Sequence, residues 1–143
     1  MNVKRFGVRG LPPKKREWSI WAEKTEAPRV KALRLAALPR FSSPLPKGTP
    51  VTLRVRVYAK ERGIDGGDLA NFIGGICDAL QAAHGVTLKR AKFDPQLWSS
   101  VPQGAQPKAP LVYHDDCCVN IMHIERRTPR TRGPRYVVEI SWP

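Results

Sequence analysis

Residues Val51–Tyr58 alternate without a break: Val51, Leu53, Val55 and Val57 are apolar, and Thr52, Arg54, Arg56 and Tyr58 take the intervening places. Successive side chains of an extended strand point to opposite faces, so the octet describes a strand with one face in a core and the other outside it. The apolar face needs a second layer to cover it. Soon afterwards Leu69, Phe72, Ile73, Ile76, Cys77 and Leu80 recur at three- and four-residue spacing, which gathers them on one side of a helix. Asp68 stands where a carboxylate accepts a backbone N–H at the positive end of the helix dipole. Gly66 and Gly67 ease the turn into the helix, and Gly85, after His84, supplies a stop. A strand followed so soon by an amphipathic helix limits the chain to folds in which helices pack on a sheet.

Four further elements are expected. Residues 5–10 form a short first strand, halted by Leu11-Pro12-Pro13. Residues 26–38 form a helix with Pro28 in its first turn, an apolar stripe of Val30, Leu33 and Ala37, and Pro39 as its end. The polar face of that helix carries Arg29, Lys31 and Arg34, expected to be solvated. Residues 117–125 and 136–142 read as two strands joined by a basic turn, hence as a hairpin. Residues 85–110 show no period and read as a long surface excursion. The order is β-α-β-α-β-β: an α+β fold with a mixed β-sheet and packed helices, in one domain of 1–143.

The charge balance narrows the partners. Lys plus Arg number 25 against 12 Asp plus Glu, a formal net charge of +13. Such an excess favours a polyanion, and nucleic acid above all, because neutralising phosphates releases counterions. No apolar run approaches the roughly 20 residues of a membrane span. No apolar stretch follows Lys4-Arg5, so no secretory signal is expected. Three cysteines, two of them adjacent, make no disulfide framework, and the cytoplasm is the expected compartment.

Two stretches suit a phosphate backbone. Lys14, Lys15 and Arg16 precede Trp18 and Trp21, a basic loop interleaved with stacking surfaces. Arg126, Arg127, Arg130 and Arg132 crowd the turn between the last two strands. Lys89, Arg90, Lys92 and Trp98 in the excursion are weaker candidates. For each, the plain alternative is a solvated cation or an aromatic anchored in the core.

The acidic residues suggest chemistry. If the helix led by Asp68 lies beside the strand opened by Asp115-Asp116, the two acidic ends share a hard cation. Mg²⁺ takes oxygen ligands and keeps several waters, and in phosphodiester hydrolysis it activates water and stabilises charge on phosphorus oxygens. The signal from spacing alone is weak: Asp68 as a helix cap and Asp115-Asp116 as a turn stay open. His114, Cys117, Cys118 and His123 match no familiar zinc spacing, and strand alternation would put Cys117 and His123 on one face and Cys118 on the other. His114 beside Asp115 is a candidate proton-transfer group.

Taken together, Gly67-Asp68-Leu69-Ala70-Asn71, then Asp78-Ala79-Leu80, then Asp115-Asp116 before a strand resemble the RusA-type Holliday junction resolvases. Gly10-Leu11-Pro12-Pro13-Lys14 and the closing residues 135–140 extend the likeness, which covers most of the chain outside an insertion at about 86–110. The resemblance implies a RusA-like homodimer that binds four-way DNA junctions and, with Mg²⁺ or Mn²⁺, nicks two strands symmetrically. By position it implies that Asp68 and Asp116 are catalytic metal ligands, that Asp115 assists, and that Asn71 is the motif asparagine, here a DNA contact. Two departures stand out: Ala70 replaces the second motif aspartate, and Gly74 stands where many members have a lysine. Asp65 is the candidate replacement ligand. Asp78, ten residues beyond Asp68 and therefore some 15 Å along a helix, is too far from it to share one ion. A weakened or inactive RusA-like protein that still binds DNA is the alternative, and an RNA- or ribosome-associated basic protein a third.

Overall fold

The computed structural model describes residues 1–15, 20–60, 68–83, 94–129 and 131–143. Arg16, Trp18, Asp65, Gly66, Gly67, His84, Gly85, Lys89, Arg90, Lys92 and Arg130 lie outside the described residues. The elements run β1 (Asn2–Arg9), α1 (Glu26–Ala37), β2 (Val51–Tyr58), α2 (Leu69–Ala79), the single turn α3 (Pro95–Trp98), β3 (Val119–Arg127) and β4 (Arg135–Trp142). This is an α+β chain with a four-stranded mixed sheet in the order β1-β4-β2-β3. Among the described residues, no helix is long and apolar enough to cross a membrane.

The alternation of β2 is realised as read. Val51, Leu53, Val55 and Val57 are buried against the helices, and Arg54 and Arg56 point away from them. Phe72, Ile76 and Leu80 are 0% exposed and join Val30 and Leu33 of α1 in the same core. Burying each such side chain contributes about 1.5–3 kcal/mol relative to leaving it in water. Both helices therefore sit on one face of the sheet.

The expected hairpin does not form. β4 lies between β1 and β2, antiparallel to both, while β3 pairs parallel with the far side of β2. Side-chain chemistry accounts for the order. Tyr136, Val138 and Ile140 of β4 are fully buried and suit a central strand. In β3, Asn120 and His123 are exposed, which an edge position allows.

Three other expectations change. Residues 94–110 are not a surface excursion: Trp98, Val101 and Ala105 enter the core, and the Trp98 ring lies 5.9 Å from that of Trp21. Neither tryptophan is a stacking platform for bases. Arg34 is not solvated but 0% exposed. Its guanidinium donates to the carbonyls of Ala79 and Gln81, and to those of Ala105, Gln106 and Ala109. Finally, α2 ends at Ala79, well short of Gly85, because Arg34 takes up carbonyls at the helix end that would otherwise be orphaned.

Candidate functional site

Among the predicted site residues, Asp68 stands at the start of α2, Asn71 in its first turn, and Asp116 beyond its end. Asp68 is the N-cap: its exposed carboxylate accepts from the Ala70 N–H at 2.8 Å. One turn on, the Asn71 carbonyl accepts the Lys15 N–H at 2.9 Å, so the strap Leu11-Pro12-Pro13-Lys14-Lys15 crosses the helix there. The crossing depends on glycine. A Cβ on Gly75 would lie 2.0 Å from the Pro13 carbonyl oxygen, while one on Gly74 would meet only the Lys15 side chain, 3.1 Å away. The Lys14 ammonium sits 5.5 Å from the centre of the Phe72 ring. Lys14, Lys15 and Asn71, all predicted DNA contacts, are thus brought together.

Asp116 approaches from the other end. Residues Asp116–Cys118 form a 3₁₀ turn ahead of β3, so the acidic pair does not open the strand directly, and the two cysteines do not alternate on it. The Asp116 N–H donates to Gln81 Oε1 at 3.0 Å, beyond the C-terminus of α2. Tyr113 donates to the Cys77 carbonyl at 2.7 Å and shares this corner. Burial, with Asp116 and Asp78 nearby, pushes the Cys77 thiol up to about 12, and burial also raises the Tyr113 hydroxyl. Lys15 acts on the same thiol in the opposite sense. Cys77 lies nine residues beyond Asp68, about 14 Å along the helix axis. The expected meeting of Asp68 with Asp116 is therefore not what brings either into position. Among the described residues, no three His, Cys, Asp or Glu side chains group closely enough to hold a metal ion.

No protein-family model matches the chain, and no curated protein is significantly similar to it.

Asp115 caps the 3₁₀ turn. Its carboxylate accepts from the Cys117 N–H at 3.0 Å and faces an open cleft of about 660 Å³ with His114, Cys117, Cys118 and Lys47. The Asp115 charge is the main reason the exposed Cys117 thiol is raised, and burial is the main one for Cys118. The Asp116 carboxylate is half-buried, and no donor among the described residues reaches it. It is held by its backbone, with its oxygens left to other ligands.

The basic turn lies at the opposite end of the sheet from Asp116, since Tyr58 pairs with Arg127 and Val51 with Val119. Arg126 donates to the Lys60 carbonyl at 2.8 Å, Arg127 pairs with Glu125 at 3.1 Å, and Arg132 is exposed. Sequence reasoning missed a second set of cations, Arg5, Arg9, Arg54 and Arg56, on the sheet face away from the helices. Their alternation with apolar residues along β1 and β2 is the signal that would have found them.

Proposed function

We propose that this chain is a RusA-like protein that binds branched DNA as a homodimer and, with Mg²⁺, nicks four-way junctions in recombination and repair. The observation that carries this reading is Asp116: a half-buried carboxylate with no internal donor among the described residues, fixed through its backbone by Gln81, in a chain of net charge +13. Mg²⁺ is commonly held by one or two carboxylates, several waters and substrate phosphates. Asp116 suits that arrangement, in which the ion arrives with the DNA; a pocket shared with Asp68 is not required. When bound, the ion would supply Lewis acidity at the phosphorus oxygens. Lys15 and Asn71 lie on the flank of α2 that leads to Asp116, suited to holding the backbone beside it.

A second reading, binding without cleavage, is favoured by Asp68 serving as a helix cap and by Ala70, which offers no oxygen ligand. Both are tested on a synthetic four-way junction with Mg²⁺ or Mn²⁺. The wild type should nick it, and Asp116→Asn should reduce the rate by at least about 10²-fold, the several kcal/mol that a metal ion contributes to such a transition state. Asp68→Asn keeps the cap, so a comparable loss in that variant would make Asp68 a ligand as well. Wild type that binds junctions without nicking, with activity gained in Ala70→Asp, would establish the second reading. Junctions held no more tightly than linear duplex would overturn both.

A further inference from the structure

The sheet is covered by helices on one face alone. The strand registers arrange the other face in rows. The first row across the sheet is Arg9, Arg135, Tyr58 and Arg127. Two residues back, Gly7, Val137, Arg56 and Glu125 form the next, and two further back come Arg5, Glu139, Arg54 and His123. Six arginines against two glutamates leave this face at +4, with the side chains of Arg5, Arg56 and Arg127 more than half exposed. Glu139 pairs with Arg5, and Glu125 with both Arg56 and Arg127, but exposed ion pairs are weak and leave the guanidiniums able to take another anion.

We propose that this open sheet face is a docking surface for the phosphate backbone of duplex DNA. Three observations carry it. First, arginines stand directly opposite one another at Arg9 and Arg135, a cross-strand placement of like charges that destabilises a sheet unless an anion lies between them. Second, the face has space for a backbone. A hollow of about 180 Å³ lies among Arg5, Arg54, Arg56 and His123, and a groove of about 650 Å³ runs past Arg9, Arg132 and Arg135 over Gly7, which has no side chain to fill it. Third, the face has no stacking platform. Its one aromatic ring, Tyr58, is 8% exposed and lies 4.8 Å beneath the Arg135 guanidinium. A single strand would want exposed rings, and a protein partner an apolar centre, whereas the exposed apolar side chains of this face, Val3 and Ile121, lie in its last row beyond the arginines. A duplex needs only cations at its backbone.

The surface rests on the nucleic-acid part of the proposed function but not on cleavage, because Asp116 and α2 belong to the other side of the sheet. The test is fluorescence-anisotropy titration of a labelled linear duplex, over a range of salt, with the full chain. The open-face triple variant Arg5→Gln, Arg54→Gln, Arg56→Gln is compared with a control triple, Lys24→Gln, Arg40→Gln, Lys108→Gln, exposed cations away from this face that lower the net charge equally. All six changes are at exposed positions, and circular dichroism verifies folding. The open-face triple should weaken duplex binding and reduce the slope of log K against log salt by about 2.7, the sum for three lost phosphate contacts. The control should move the slope by much less. An unchanged slope, or equal falls in both triples, overturns the surface, as does tighter binding of a single strand of the same phosphate count. Junction nicking by the wild type, run in parallel, separates the failures: nicking with an unaltered open-face slope removes this surface alone, and no binding of any DNA removes both.

Discussion

Replacing Arg34 should cost this fold more than any surface cation. The guanidinium is 0% exposed, pairs with no carboxylate among the described residues, and instead donates to five backbone carbonyls while stacking 5.0 Å from the centre of the Trp21 ring. Burial lowers it to about 10, so it stays charged at neutral pH. The carbonyls come from the end of α2 and from residues 105–109, segments with few other bonds between them. Arg34→Met fills much of the volume but leaves the carbonyls buried and unpaired. Breaking such a buried charge network typically costs about 3–5 kcal/mol, a large share of the 5–15 kcal/mol that holds a domain together. At this chain length that corresponds to a fall of about 10–20 °C in Tm. Arg34→Lys keeps the charge but not the planar fork, so an intermediate loss of about 2 kcal/mol is expected. Urea unfolding followed by tryptophan fluorescence reads both, since Trp21 and Trp98 lie in contact at this site. The damage should extend to Asp116, whose N–H is held by Gln81, whose own carbonyl is held by Arg34. Arg34→Met within about 1 kcal/mol of the wild type, at an unchanged m-value, would refute the reasoning.

The two adjacent glycines of α2 should respond oppositely. Gly75→Ala drives a methyl into the Pro13 carbonyl and should destabilise by about 1–3 kcal/mol or more, whereas Gly74→Ala meets only the movable Lys15 side chain and should be neutral or gain up to about 1 kcal/mol in helix propensity; thermal melts of the two variants decide it. Cys117, exposed but raised chiefly by Asp115, should alkylate slowly at neutral pH and several-fold faster in Asp115→Asn, because removing the carboxylate lowers the thiol pKa and enlarges the thiolate fraction at a given pH. Iodoacetamide labelling read by mass spectrometry checks this, and an unchanged rate would mean that Asp115 does not govern the thiol.

What was legible in the sequence was what is local. The alternation of β2 and the three-four spacing of α2 depend on neighbours a few residues apart: β2 spans the residues its alternation marks, and α2 starts after Asp68 as expected although it ends short of Gly85. Strand partners are not local. The residues between β3 and β4 are few enough for a hairpin, and only the burial of Tyr136, Val138 and Ile140 explains why β4 takes the centre instead. Arg34 was assigned to the polar face of α1 by the same periodicity that correctly placed Val30, Leu33 and Ala37. It is inside because residues 105–109 fold back over it, and that segment, Ala-Gln-Pro-Lys-Ala without a period, gave no sign of doing so.

The acidic motif shows the same limit at the candidate site. By the resemblance to the RusA-type resolvases, position 74 is where many members have a lysine, and Asp68 is expected to meet Asp116. In three dimensions the strap ending at Lys15 crosses α2 where Gly74 and Gly75 leave room for it, and the Lys15 side chain lies where a residue-74 side chain would begin. A cation on this flank of the helix thus comes from a segment nearly sixty residues earlier, and its charge acts on Cys77 together with that of Asp116. Gly74 leaves room on the helix for the Lys15 side chain. The Lys15 charge on this flank is therefore removed in Lys15→Met and kept in Gly74→Ala.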